Sequence, residues 1–339
     1  MKVLITGGAG FIGSNLGAYL LPKGHDVLLL DNLAFGYREN LMLADGTPWP
    51  SSRFIQMDIR DTQLQRVMKG VDILYHFAAI SSLPECQNNP QEAYNVNVAG
   101  TANVLEAARR HGIKRIIFSS TAGVYENEHT FPTPEDAAVH PALIYSLTKK
   151  HAEELCRSYQ LLYGMDIVAL RFFNVYGPHM DSKRANPPVI SYMMKCLQDK
   201  RRPILHSDGN QKRDMIYIDD VVRLCELVLT DKKAKNQTFN VGSGKVYSIH
   251  EMYQKISALL KCEKIFPRFR PSDSIWNTYP SLFRSAYPFQ TKYLEKEVNK
   301  YTEASITKAN SILGWVPEIN LDEGLQKTIQ LANKESFRG

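Results

Sequence analysis

Paired cysteines, long apolar runs and a strong charge of one sign are all missing from this sequence. Its five cysteines, Cys86, Cys156, Cys196, Cys225 and Cys262, lie far apart with no C-x-x-C pair. Neither a disulfide framework nor a zinc site is indicated, so no metal is expected and a reducing cytoplasm is the expected setting. Apolar runs extend only a few residues, which argues against a membrane-spanning helix. "KVLIT" already starts at Lys2, and no signal peptide is expected. The formal net charge is +6, and short basic clusters such as "DKRRP" (199–203) and "DKKAK" (231–235) have no interleaved aromatics. A nucleic-acid face is therefore not expected, whereas a mild basic excess suits a polyanionic small substrate. Internal repeats and low-complexity tracts are absent too. What is present is ordinary for a globular protein: 44% hydrophobic and 22% charged residues over 339 positions, enough for one large domain or two modest ones.

The first 175 or so residues alternate β-rich runs with helical patterns, which predicts an α/β fold with a parallel sheet wound on both faces. The candidate strands are "KVLIT" (2–6), "DVLLL" (26–30), "RFIQM" (53–57), "DILYHF" (72–77), "KRIIFS" (114–119) and "DIVALRFF" (166–173). A long helix is expected over 89–112, stopped by His111-Gly112. After "NVYGP" (174–178) the pattern becomes irregular, with helices expected near 189–199, 219–230 and 248–260 and a strand at 238–242. The expected division is a cofactor domain over 1–177, rejoined by about 215–245, and a smaller α/β substrate domain over 178–339. Residues 266–300 carry four prolines and eight aromatics, including Trp276 and Phe289, which predicts an ordered lid or docking loop rather than a linker.

"VLITGGAGFIGSNL" sets Gly7, Gly10 and Gly13 between a buried strand and a helix, in a first βαβ unit. Glycines there let the backbone turn tightly and approach a pyrophosphate held at the helix N-terminus. Asp31 ends the second strand at the distance where an acid binds adenosine ribose hydroxyls, and it would repel a 2′-phosphate, so NAD is favoured over NADP. Asp58, in "QMDIR", either contacts adenine or is a plain strand-end acid, and Ala78 and Ala79 are small enough for a dinucleotide to pass. His76 is assigned no chemistry.

"YSLTKK" places Tyr145 and Lys149 four apart on one helical face. A tyrosine has a reference pKa of about 10, and an ammonium beside a cationic nicotinamide favours its phenolate. Alone, this spacing is as compatible with a surface pair. Joined to the glycine motif and to the hydroxyls of "IIFSSTAGVYE" (116–126), it becomes a catalytic constellation.

"TGGAGFIG", "DNLAFGYREN", "HFAAISS", "NVNVAGT", "SSTAGVYE", "YSLTK" and "RFFNVYGP" occur in the order typical of extended short-chain dehydrogenases/reductases. Among these the sequence most resembles nucleotide-sugar epimerases of the UDP-galactose 4-epimerase type, over about 1–270 and again about 301–325. The resemblance implies that Thr121 and Tyr145 meet the reacting sugar hydroxyl and that Lys149 binds the nicotinamide ribose. It adds Phe11, Ile12, Asn32, Ile59 and Asn97 to the residues around NAD, with Asn97 beside the active-site backbone. It implies Ser82 and Asn174 near the substrate, Arg213 ("DGNQKRDMIYIDD") on a phosphate, and Arg270 and Asp273 ("RPSD") on phosphate and ribose. A homodimer through helices near 89–111 and 144–163 is implied as well. The sequence departs from the family after Asp273, where the aromatic-rich residues 274–300 intervene before "YTEASITKANSILGWVP".

Ala122 and Gly123 narrow the chemistry. Similar dehydratases carry an Asp-Glu pair directly after the catalytic threonine, and related decarboxylases keep a glutamate there. Alanine and glycine transfer no proton. The expectation is therefore an NAD-dependent UDP-sugar 4-epimerase; the alternatives are a nucleotide-sugar 4-ketoreductase, a dehydratase or decarboxylase of the same superfamily, which Ala122 and Gly123 disfavour, and an epimerase at another carbon. A non-catalytic dinucleotide-binding regulator would be expected to have lost Tyr145 or Lys149.

Overall fold

The computed structural model describes residues 1–336; the end of the expected second domain, 337–339, lies outside the described residues. Seven parallel strands form the central sheet: β1 (Lys2–Thr6), β2 (Asp26–Asp31), β3 (Phe54–Gln56), β4 (Ile73–His76), β5 (Arg115–Thr121), β6 (Ile167–Phe172) and, past the short β7 (Asn174–Tyr176), β8 (Ile204–His206) and β9 (Lys212–Tyr217), the strand β10 (Thr238–Val241). Their order is β10-β6-β5-β4-β1-β2-β3, a doubly wound Rossmann-type sheet. Side chains alternate along each strand, so Val3, Ile5, Val27, Leu29 and Ile117 enter the core on one face. Leu4, Leu30, Leu74, Ile116 and Phe118 enter the core on the other. Near-continuous burial of these strands, four of the five residues of β1 and all six of β6, is what a sheet covered on both faces requires.

The order reverses between β1 and β4, and such a switch point opens a crevice at the carboxyl ends of the strands. The ends of β1, β4 and β5 thereby bring Gly7, Ala78 and Thr121 toward one crevice. Two smaller sheets lie beyond: β11 (Val246–Ser248) with β9 and β7, and β12 (Arg268–Arg270) with β8.

The helix expected over 89–112 is not continuous. It runs as Pro90–Tyr94, a π-helical turn Asn95–Gly100, and Thr101–Arg110. The cause is tertiary. The Asn97 side chain accepts from Ile80 N (2.8 Å) and donates to Ile80 O (3.0 Å) and Thr148 Oγ1 (3.0 Å). A locally widened turn turns that amide toward the β4 loop, and such turns recur at functional sites.

Residues 274–300 are ordered, as the aromatic content predicts. Trp276 and Leu294 are buried with Leu143, and Leu83, Tyr279, Phe283 and Phe289 pack against them. A helix, Lys292–Asn299, closes the segment.

Candidate active site

The glycine turn is built by close approach. Gly7 has φ +71°, and a Cβ there would lie 2.7 Å from Ala78 N. A Cβ at Gly13 would overlap the Gly7 carbonyl oxygen. Gly10 is the N-cap of the helix Phe11–Leu20, so that helix opens directly beside the switch point. Phe11 and Ile12 are partly buried and pack on the core. Ala78 and Ala79 are partly buried at the end of β4.

Asp31 is buried at the end of β2. Its carboxylate accepts from Ala9 N (3.0 Å) and Leu33 N (2.8 Å), and a Cβ on Gly36 would sit 2.8 Å from both of its oxygens. Burial raises its pKa against the pull of those two amides. Asn32 is exposed and donates to Asp58 (2.8 Å). Asp58 is also gripped by Arg60 through Nε (2.9 Å), Nη2 (2.9 Å) and the backbone N–H (2.8 Å), and the guanidinium holds it down at about 2. Ile59 is buried next to Gly100, whose added Cβ would lie 2.7 Å from it.

Thr121 ends β5 and its Oγ1 accepts from Gly123 N at 3.1 Å. Tyr145 and Lys149 lie on the helix Ile144–Tyr163. Burial pushes the Tyr145 phenol up to about 12, while a hydrogen bond from Thr121 works the other way. Lys149 is buried; its Nζ donates to Ser119 Oγ at 3.4 Å and lies 4.3 Å from the Phe118 ring centroid. Burial lowers it to about 8. A Cβ at Gly123 would stand 2.6 Å from Ser146 Oγ on the helix Ile144–Tyr163, so a side chain there requires that hydroxyl to move.

The residues present fit NAD. The bare glycine turn leaves backbone exposed for a pyrophosphate, Asp31 accepts hydroxyl donors and repels a phosphate, and Lys149 is a buried cation with a neutral partner.

On the substrate side the expected residues hold protein groups. Ser82 is buried and caps the helix Leu83–Asn88. Asn174 donates to Asp214 O (2.9 Å) and Thr302 Oγ1 (3.4 Å). Arg213 is buried, and its guanidinium donates to the carbonyls of Lys212 (3.1 Å), Glu297 (3.0 Å), Val298 (2.8 Å) and Lys300. Three of these carbonyls lie at the end of the helix Lys292–Asn299, which finishes beside β9. Arg270 and Asp273 are exposed.

Several supports were not legible as site residues. Asp214 is fully buried and its carboxylate accepts from Ser243 N, Ser243 Oγ, Gly244 N and Ala304 N at 2.7–2.9 Å. Arg171 joins Glu153 on the helix Ile144–Tyr163 (2.8 Å) to Tyr125 Oη (2.7 Å), four residues past Thr121. A charged residue inside the apolar run "DIVALRFF" was the available signal. His76, left without chemistry, spans Thr6 Oγ1 (2.8 Å) and Thr101 Oγ1 (3.0 Å), and burial lowers it to about 3.

Comparison with known proteins agrees with this geometry. A family model described as the NAD dependent epimerase/dehydratase family matches residues 3–242. A putative UDP-glucose 4-epimerase of Methanocaldococcus jannaschii is 33% identical over 332 residues, 96% of this chain and 97% of the relative. A UDP-glucuronate 4-epimerase of Thermodesulfobacterium geofontis is 31% identical, covering 96% and 94%. The crystal structure of a Thermotoga maritima UDP-glucose 4-epimerase with UDP-glucose superposes with a TM-score of 0.85 at 29% identity, covering 99% of this chain and 100% of that one. The seven-stranded parallel sheet is thus the fold of these epimerase structures, and the chain is an enzyme of the NAD-dependent epimerase/dehydratase family.

Proposed function

We propose that the protein is a UDP-sugar 4-epimerase working through a transient 4-keto sugar, with Tyr145 as the base. The observation that carries this is the pairing of Thr121 with Tyr145 beside two residues, Ala122 and Gly123, that transfer no proton. Elimination or decarboxylation asks for a further acid or base at that place, and the Ser146 hydroxyl fills the space that a side chain on Gly123 would enter.

Thr121 receives the Gly123 amide proton bond and passes its own hydroxyl hydrogen toward Tyr145, holding the phenol in one orientation. Tyr145 takes the proton of the sugar 4-hydroxyl and returns it after the ring presents its other face. NAD, when bound, supplies the hydride acceptor and donor, and in its oxidised form a positive charge that favours the phenolate. Lys149 holds the nicotinamide ribose, and Ser119 fixes its ammonium. The glycine turn and Asp31 hold the pyrophosphate and the adenosine ribose, with Asn32, Asp58 and Ile59 at the adenine end. Asn97 acts on the site by locking the Ile80 backbone to Thr148. Arg270 and Asp273 are the exposed polar pair available to the nucleotide.

A homodimer through Thr101–Arg110 and Ile144–Tyr163 belongs to the same proposal, supported by Leu161, Leu162 and Tyr163 standing exposed at the end of the second helix. A cytoplasmic setting is supported by five free, buried thiols. Among the described residues no helix is long and apolar enough to cross a membrane.

Incubating the purified protein with UDP-, GDP-, CDP- and dTDP-sugars, without added NAD, tests the proposal. Products of unchanged mass and inverted C4 are expected from UDP-sugars. Loss of water or carbon dioxide sinks the assignment, and a requirement for added reduced cofactor points to a ketoreductase.

A further inference from the structure

Arg171 lies inside the apolar run of β6, 7% exposed, in register with Ser120 of β5 and Asn240 of β10 at the carboxyl ends of the three strands. Its guanidinium reaches three other parts of the chain. Nε and Nη2 donate to the two oxygens of Glu153 (3.0 and 2.8 Å), a two-point pair with the helix Ile144–Tyr163. Nη1 donates to Tyr125 Oη (2.7 Å), in the turn Ala122–Tyr125 that follows Thr121, and to the Glu135 carbonyl (2.9 Å). The Tyr125 hydroxyl passes its own hydrogen to Asn240 Oδ1 (2.8 Å). Asn240 in turn donates to the Thr133 carbonyl (2.9 Å) and, from its backbone, to Glu135 Oε1 (2.8 Å).

Stability alone gives little reason for such a pair. The desolvation of two charges offsets their attraction, and well-packed apolar residues in the same space often serve stability as well or better. What the pair does fix is geometry. The contact between Thr121 and Tyr145 joins the end of β5 to the helix Ile144–Tyr163, and Arg171 is bonded both to that helix and to the turn after Thr121. The two elements are close-packed where they meet, since a Cβ on Gly123 would stand 2.6 Å from Ser146 Oγ.

The same pair sets the charge that Lys149 meets. Glu153 lies one helical turn beyond Lys149, on the same face. The other groups around the ammonium are the Phe118 ring and Ser119 of β5, His76 of β4, Cys86 of the helix Leu83–Asn88, and Tyr145 and Cys156 of its own helix. Burial pushes both thiols and the phenol up to about 12 and His76 down to about 3, so all of these are neutral at pH 7. Glu153 is left as the one formal charge among them, and Arg171 cancels it.

We infer that Arg171 is a positioning residue for Tyr145 and Lys149: it locks the helix that carries them to the turn after Thr121, and it cancels the Glu153 charge beside the Lys149 ammonium. The inference rests on the reading of Tyr145 and Lys149 given above.

Three full-chain variants test it. Arg171→Gln leaves the Glu153 carboxylate without its cation, which favours the Lys149 ammonium, whereas Glu153→Gln leaves the guanidinium uncompensated, which disfavours it. Turnover needs that ammonium, so its loss sets the alkaline limb of kcat with UDP-glucose. The limb is expected to move up by about half a pH unit or more in Arg171→Gln and down by as much in Glu153→Gln. A limb that stays in place, or moves the same way in both, overturns the electrostatic role. The double variant Arg171→Met, Glu153→Met removes both charges and keeps the space filled. Its limb should return to the wild-type position, while kcat stays about tenfold low and KM changes less than about twofold. Wild-type kcat in the double variant overturns the positioning role, and this variant stands in should Arg171→Gln fail to fold. The pH at which NAD affinity falls, followed by calorimetry, should carry the same opposite shifts in the two single variants. Shifts seen there in a protein that turns over no nucleotide sugar mean that the function is wrong and the role of the pair stands; no shift there overturns the inference.

Discussion

The two sides of the crevice use their polar residues in different ways. On the cofactor side, Gly7, Gly13, Asp31 and Lys149 have geometry set by strand ends, and what each offers is backbone shape or a single buried charge. On the substrate side, Ser82, Asn174 and Arg213 have their donors and acceptors on protein groups, two of them on the stretch at or just past the aromatic segment. The difference teaches that a motif acting through backbone keeps its meaning when neighbouring chain changes. A motif acting through a long side chain takes its meaning from whatever stands within reach.

The largest expected effect lies on the cofactor side. Tyr145→Phe should lower turnover by about 10²–10⁴-fold while NAD stays bound, read by quantifying nucleotide released on denaturation. Retained activity would break the assignment of the base. Gly13→Val should lose NAD, since even a Cβ meets the Gly7 carbonyl, and full retention of cofactor would show that the turn tolerates a side chain.

Lys149 gives a pH-dependent case. Its depression from 10.5 to about 8 corresponds to about 3 kcal/mol of unfavourable burial of charge in the cofactor-free protein. The folded-state pKa is below the unfolded one, so this penalty is fully present below pH 8 and disappears as pH rises from 8 to 10.5. Lys149→Met should therefore be more stable than wild type at pH 7, with the gap closing by pH 10.5 in denaturant titrations. A gap independent of pH would contradict the charged state.

On the other side, Asp214→Asn should cost about 2–4 kcal/mol, because an amide nitrogen replaces an acceptor facing four donors. Burial raises Asp214 to about 6, above its ordinary 3.8, so its own contribution is most favourable below pH 3.8 and weakens as pH rises to 6. The smallest expected effect is Arg60→Ala, at most about 1 kcal/mol in stability, since its pairs with Asp58 and Glu92 are partly solvated.

Much of the fold was readable because it rests on alternation and glycine punctuation. The six strands expected along the first 173 residues all form, with ends moved by one or two positions, and the seventh, β10, matches the run "TFNVG". What was hidden depends on long-range pairing. The π turn at 95–100 is imposed by Asn97 reaching Ile80, and β7, β9 and β11 are short strands whose partners lie far along the chain. The placement of Tyr145 and Lys149 on one helix beside the end of β5 was legible through their spacing. The placement of Arg213 was not, because nothing near "QKRDM" reveals that a helix eighty residues later ends beside it.

The most direct test follows deuterium at one carbon. UDP-glucose deuterated at C4, incubated with the purified protein in ordinary water and no added NAD, should yield UDP-galactose of unchanged mass with the label still at C4. Label lost to solvent, or a product lighter by water or carbon dioxide, would contradict redox confined to that carbon.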